Sequence, residues 1–286
     1  LAWFMHWKKF LIDKITILNV SFNDTYFKYS LFNCLKKLTS NKFKVIICDN
    51  GSKKKQLNEL KELSSKYPFV EIIERIQTKK SSYGHGEALN ILIPKVKTKY
   101  TLIIDGDAVP LVKNWDQYLI NEIDSGLKII GATGAKDRSG KRFGQGSFPL
   151  PFFAFFETEV FKRLNINNLP GDLRAGQDVC WEWPIKFSRA NYKSKVFETR
   201  NTRDYRSGPF ASLVGVEEYY YNLDGKQILF AAHFGRGTSG GINKLLFKSK
   251  YLSKLNRFIY PIFFIYSLIQ KKKWNKIINS LIINNK

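Results

Sequence analysis

The sequence predicts an α/β fold with a mixed, mainly parallel central sheet flanked by helices. Three observations carry that reading. Short apolar runs recur through the first half, at Ile15–Val20, Val45–Cys48, Val70–Glu74 and Tyr100–Ile104, and runs of this length read as buried strands. Stretches of helical periodicity separate them, which implies parallel strands joined by right-handed crossovers. Two runs end in carboxylates, Asp49 and the pair Asp105/Asp107. Ligands gather at the carboxyl ends of strands in such sheets.

Taken in order, Ile15–Val20 is the first strand, and Phe27, Leu31, Leu35 and Leu38 then share one helical face. Val45–Cys48 is the second strand and runs into Asp49-Asn50-Gly51-Ser52. A helix over Lys53–Lys66 turns Leu57, Leu60 and Leu63 inward. Val70–Glu74 is the third strand, and Gly86–Ile93 a short helix entered through the loop Ser82-Tyr83-Gly84-His85-Gly86. Tyr100–Ile104 is the fourth strand, Trp115–Ile123 a helix and Lys128–Ala132 a further strand. Beyond about residue 135 the periodicity gives way to glycine-rich and aromatic loops, where a substrate-specific half is expected. The expected division is an aromatic and basic segment over 1–13, a nucleotide-binding half over 14–135, an acceptor-binding half over 136–245, and basic-aromatic helices over 246–286.

The 286 residues allow a substantial core, and 44% hydrophobic with 15% aromatic residues exclude a disordered chain. Cys34, Cys48 and Cys180 form no metal pattern and no disulfide framework, which suits a reducing, cytoplasmic compartment. The net charge of +23 favours anionic partners, whether nucleotides, nucleic acid or an anionic membrane face. Abundant Lys, Asn and Ile together also fit compositional drift. The chain does not begin with Met, so it reads as a fragment or a processed product. Phe258–Ile269 is apolar, flanked by Arg257 and Lys271-Lys272-Lys273, and contains Pro261. It is shorter than the ~20 residues of a spanning helix. An interfacial helix peripheral on a membrane and a packed terminal helix both remain open.

Asp105-Gly106-Asp107 is the segment richest in chemistry. Two carboxylates one residue apart resist ionising together unless a cation lies between them. Oxygen ligands at a strand end suit Mg²⁺ or Mn²⁺ bridging to phosphate. A plain surface turn is the alternative. Together with Asn19-Val20-Ser21-Phe22-Asn23, Asp49-Asn50-Gly51-Ser52 and Gly84-His85-Gly86-Glu87-Ala88-Leu89-Asn90, this segment resembles glycosyltransferase family 2, across roughly residues 14–240.

That resemblance implies the GT-A fold and a set of roles. Asp49 would contact the nucleotide base, with the loop carrying Asn23 lining the same pocket. His85 would reach the diphosphate or donor sugar, and Asn90 matches a recurrent position beside the donor. Asp107 would hold the metal, with Asp105 on the ribose or the metal's waters. An acidic pair is usual where Gln177-Asp178 stands, so only Asp178 carries over as base, opening a helix, with Glu182 in reserve. Ala231-Ala232-His233-Phe234-Gly235-Arg236 resembles the segment that closes over the diphosphate, with His233 as a metal ligand and Arg236 on phosphate.

Each position also has a structural reading: Asp49 and Asp178 as helix caps, His85 as a solvated loop residue, His233 as a core histidine at a strand end. The aromatic stretch Phe143–Phe153 reads as core or as a sugar-stacking surface, and Tyr219-Tyr220-Tyr221 is equally open. The expected activity is metal-dependent, inverting transfer of a sugar from a nucleoside diphosphate sugar to a hydroxyl of a glycan or lipid-linked acceptor, as in polysaccharide or lipopolysaccharide assembly, with no nucleic-acid partner. The rivals are a nucleotidyltransferase of sugar phosphates, or a non-catalytic basic protein that binds membrane or nucleic acid.

Overall fold

A computed structural model describes residues 13–79, 81–134, 147–223, 225–235 and 256–284, with side chains over 264–283 of the last stretch. The elements in order are β1 (Ile15–Ser21), α1 (Thr25–Leu38), β2 (Phe43–Asn50), α2 (Lys54–Ser64), β3 (Val70–Arg75), α3 (Ser82–Leu92), β4 (Tyr100–Ile104), β5 (Ala108–Pro110), α4 (Trp115–Asp124) and β6 (Ile129–Gly131). There follow β7 (Phe153–Glu157), α5 (Thr158–Arg163), α6 (Glu182–Arg189), β8 (Ser194–Val196), β9 (Glu198–Asn201), β10 (Glu217–Leu223), β11 (Lys226–His233) and α7 (Asn256–Asn284).

Seven strands form the main sheet in the order β3-β2-β1-β4-β7-β6-β8. Every neighbouring pair is parallel except those made by β7, which runs antiparallel between β4 and β6. The central strands are buried on both faces, so they read as continuous apolar runs. Ile15, Ile17, Val45, Ile47, Leu102 and Ile104 pack on the side of α1 and α4. Leu18, Ile46, Cys48 and Ile103 point the other way, onto α3, α5 and α6. This is the two-residue alternation of a strand.

A second, antiparallel sheet runs β5-β11-β10-β9. Its edge strand β5 begins one residue after Asp107, so it grows from the end of β4. The region past residue 135, expected to be irregular, therefore supplies the inserted strand β7 and the edge strand β8 to the first sheet and three strands to the second. Phe153, the last residue of the aromatic stretch Phe143–Phe153, lies fully buried in β7, as do Phe155 and Phe156 beyond it. Phe143 to Gly146 lie outside the described residues, as does the segment 1–12.

Helix α7 runs through Pro261 without ending and behaves as two halves. Gln270, Trp274, Ile278 and Ile282 are buried at intervals of four, one stripe of a helix. Trp274 packs 5.0 Å from the Phe210 ring and 5.6 Å from Phe234, and Ser30 Oγ of α1 donates to Asn275 Oδ1 at 2.7 Å. In the preceding part, Phe264, Ile265, Leu268 and Ile269 are exposed. No described helix is long and apolar enough to cross a membrane. Cys34, Cys48 and Cys180 are buried free thiols.

Candidate active site

Asp105, Asp107 and His233 meet where the two sheets join. β4 is wholly buried up to Ile104, and the Asp105 N–H donates to the Phe152 carbonyl at 3.1 Å, tying the chain to the entry of β7. Three residues later β5 begins, and it pairs with β11 in a register that sets Ala108 opposite His233. The Phe234 N–H donates to the Asp107 carbonyl at 2.9 Å. Strand pairing thus brings a histidine 126 residues downstream beside the acidic pair.

His233 Nε2 lies 3.2 Å from Asp107 Oδ1 and 3.6 Å from Asp105 Oδ2. One ligand atom from each of the three residues falls within 4.8 Å of the others. Two carboxylate oxygens and one imidazole nitrogen form a donor set that suits an Mn²⁺-type ion, so these residues fit a divalent cation. The electrostatics agree. Burial pushes the Asp105 carboxyl up, against the downward pull of His85 and His233. Burial alone would lower the His233 imidazole, but Asp107, Glu217 and Asp105 hold it well above the ordinary histidine value. Concentrated negative charge that draws in a positive one is what a cation site presents.

Beneath the acidic pair lies a buried polar network. Lys28, fully buried in α1, donates to Asp24 Oδ2 and Asn19 Oδ1, both at 2.6 Å. Ser21 Oγ donates to Asp24 Oδ1 at 2.5 Å, and Asn19 Nδ2 donates to the Ile104 carbonyl at 2.6 Å. A Cβ at Gly106 would sit 2.0 Å from Asp24 Oδ2 and 2.2 Å from Lys28 Nζ. The glycine between the two aspartates is therefore set by close approach to an ion pair.

The remaining expected residues divide. Asp49, at the end of β2, is 2% exposed; Oδ2 accepts from the Ser52 N–H at 3.0 Å, while Oδ1 has no partner. A buried carboxylate oxygen without a donor fits a ligand contact. Its other oxygen accepts within the turn that follows β2 and does not cap α2, whose N-cap is Lys53. Asn23 sits at φ 53° and its Oδ1 accepts from the Lys53 N–H at 2.9 Å, latching the loops after β1 and β2.

His85 lies in the first turn of α3, which begins at Ser82, so the expected small-residue loop is already helical. Its Nε2 is buried without a partner. Asn90 is engaged within the protein: Oδ1 accepts from the Asn168 backbone at 3.0 Å and side chain at 2.7 Å, and Nδ2 donates to Asn167 Oδ1 at 2.9 Å. Asn90 is thus a tie between α3 and the segment before α6.

Asp178 is exposed, with Oδ1 accepting from the Val179 N–H at 2.7 Å. It does not open the helix as expected. The turn through Trp181 comes between, and α6 starts at Glu182. Glu182 is bound to Lys186 Nζ at 3.3 Å and the Asn167 N–H at 3.2 Å. Arg236 lies outside the described residues.

Four residues that touch this site escape a reading of the sequence. Lys28 had a visible signal, a charge set among the inward positions of α1. Tyr219 and Phe152 lie in aromatic runs whose role the sequence left open, and Glu217 carried no signal, because its place depends on strand register. Glu217 pairs directly with His233 across β10 and β11. The Phe152 ring stacks on His233 at 5.3 Å and 15° and on Tyr219 at 6.2 Å and 14°. So Phe152 faces the site, unlike the core phenylalanines that follow it.

Comparison with known proteins agrees with this architecture. Residues 20–181 match the family described as glycosyl transferase family 2. No curated protein sequence matches the chain. Among solved structures, it is similar to the mannosyltransferase PcManGT from Pyrobaculum calidifontis in complex with GDP-Man and Mn²⁺, at 13% identity and TM-score 0.50, covering 64% of this chain and 54% of that one. It is also similar to S. aureus TarS 1-349 in complex with UDP-GlcNAc, at 16% identity and TM-score 0.47, covering 64% of this chain and 55% of that one. The chain spans little more than half the length of these structures, and the likeness is one of fold.

Proposed function

The chain belongs to glycosyl transferase family 2, and from that premise we propose that it is a metal-dependent, inverting glycosyltransferase with the GT-A fold. It takes a nucleoside diphosphate sugar as donor and a hydroxyl of a glycan or lipid-linked molecule as acceptor. The observation that carries this reading is the convergence of Asp105, Asp107 and His233 at the carboxyl edge of a mainly parallel sheet. Asp107 and His233, with Asp105, would hold a divalent cation. When bound, such an ion neutralises the diphosphate leaving group as a Lewis acid. The protein's own groups do the rest. The unpartnered Asp49 oxygen receives the base, in a pocket that the Asn23 latch helps to shape. His85 takes the diphosphate or donor sugar with its free Nε2. Asp178, exposed ahead of α6, accepts the proton of the attacking hydroxyl. A base must come within hydrogen-bond reach of the proton it takes, and the Asp178 carboxylate is open to solvent.

The experiment is a thermal-shift panel of nucleoside diphosphate sugars with and without Mn²⁺, followed by product analysis. Binding should require the metal and vanish in Asp107→Ala. Asp178→Asn should retain donor binding and lose transfer. Release of pyrophosphate in place of nucleoside diphosphate would indicate a nucleotidyltransferase instead, and binding unaffected by Asp107→Ala would remove the metal assignment.

The exposed residues Phe264, Ile265, Leu268 and Ile269, followed by exposed Lys272 and Lys273, support a peripheral contact with an anionic, cytoplasmic membrane face. Apolar residues with adjacent lysines suit such an interface. Lys272→Glu with Lys273→Glu should reduce sedimentation with phosphatidylserine vesicles. Unchanged sedimentation removes the membrane contact.

A further inference from the structure

His233 presents two nitrogens to two different surroundings. Nε2 faces the aspartates. Nδ1 faces the opposite way, 3.3 Å from Tyr219 Oη and 3.6 Å from Glu217 Oε2. Tyr219 Oη is itself 2.8 Å from Glu217 Oε2. The three groups share one face of the β10–β11 ladder, with Glu217 directly opposite His233 and Tyr219 two residues along. Tyr219 is fully buried, and Phe152 covers the imidazole face.

Counting protons orders the hydrogen bonds. A phenol has one proton, and an ionised carboxylate can only accept. The Tyr219 hydroxyl therefore donates to Glu217, which leaves the phenol oxygen to accept from His233 Nδ1–H. Where a cation takes the place of the Nε2 proton, the imidazole keeps its proton on Nδ1 and turns the Nε2 lone pair to the side of Asp105 and Asp107. The hydrogen bond on one ring nitrogen sets which nitrogen can act as ligand.

We propose that Glu217 and Tyr219 are positioning residues that fix the ring orientation and Nδ1–H tautomer of His233, and thereby set the cation affinity of the site. This rests on the metal-site reading above. Partners one step removed from the metal typically alter affinity by about 10–100-fold. A purely structural role predicts loss of stability with no change in the ligand set.

The test is Mn²⁺ titration of the full chain by calorimetry, with electron spin-echo spectra of bound Mn²⁺ to detect the coupled imidazole nitrogen. Both Glu217→Gln and Tyr219→Phe keep the side-chain volume. Each should weaken Mn²⁺ binding by about 10–100-fold and reduce the nitrogen coupling, with circular dichroism unchanged. Adding either change to His233→Ala should cause no further loss, because the effect passes through the ring. Wild-type affinity and coupling in both single variants would overturn the proposal, as would equal losses in the His233→Ala background. Absence of Mn²⁺ binding by the wild-type chain would instead defeat the metal-site reading, and the positioning role with it.

Discussion

Replacing Lys28 with methionine tests whether the buried pair beneath the acidic segment is held together as described. The side chain is fully buried and makes 2.6 Å bonds to Asp24 and Asn19. Methionine has similar bulk, so overpacking and cavity terms stay small. What remains is Asp24, 5% exposed and bonded to Ser21, with no countercharge. Stranding one member of a buried pair costs about 3–5 kcal/mol. At roughly 2–4 °C per kcal/mol for a large domain, the melting midpoint falls by on the order of 10 °C. Converting both members, Lys28→Met with Asp24→Asn, removes the stranded charge and should recover most of the loss. Urea unfolding followed by tryptophan fluorescence measures both. A single variant within about 1 kcal/mol of wild type would refute the reasoning, as would a double variant no more stable than the single.

Three further outcomes follow from named contacts. Gly106→Ala should destabilise by about 1–3 kcal/mol through overpacking against Asp24 and Lys28, whereas Gly126→Ala, with open space around it, should cost about 1 kcal/mol from backbone conformation alone; equal midpoints would contradict the steric argument. Trp274→Ala should cost about 3–5 kcal/mol, read as a lower urea midpoint, because the ring is fully buried against Phe210 and Phe234. Burial alone would raise the Glu122 carboxyl, but bonds from Lys195 Nζ at 2.6 Å and from the Tyr221 hydroxyl bring it below the ordinary 4.5. A depressed folded-state pKa adds stability above the unfolded value, and that stability is lost as pH falls through the folded one. Glu122→Gln should therefore flatten the loss of stability below pH 4.5, and an unchanged slope would count against the bonds.

The first half of the fold was legible because its central strands β1, β2 and β4 are short apolar runs buried on both faces and its helices α1, α2 and α4 each show one apolar stripe. Boundaries shifted by one to four residues, most at α3, where Ser82 to Gly86 lack the apolar spacing that marks a helix yet already turn. The second half was opaque for a different reason. β7 reaches its place between β4 and β6 by long-range pairing that no local pattern encodes, and its sequence, Phe153-Ala154-Phe155-Phe156-Glu157, lacks polar alternation. In the site, the aspartates were legible from their strand, and His233 through the glycine-rich segment around it. Glu217 was not, since an acidic residue in a strand points to a ligand only once its cross-strand partner is known.

The union of β5 with β11 also bears on the order in which the protein matures. β1 and β2 pair across a short crossover and β4 joins β1 across a longer one, but His233 reaches the aspartates only after a closure spanning more than a hundred residues, the longest of the three. Closures of that span carry the larger entropic barrier and form late. Every strand of the main sheet precedes His233 in the chain, so synthesis delivers the whole of that sheet before the third member of the Asp105, Asp107 and His233 group emerges.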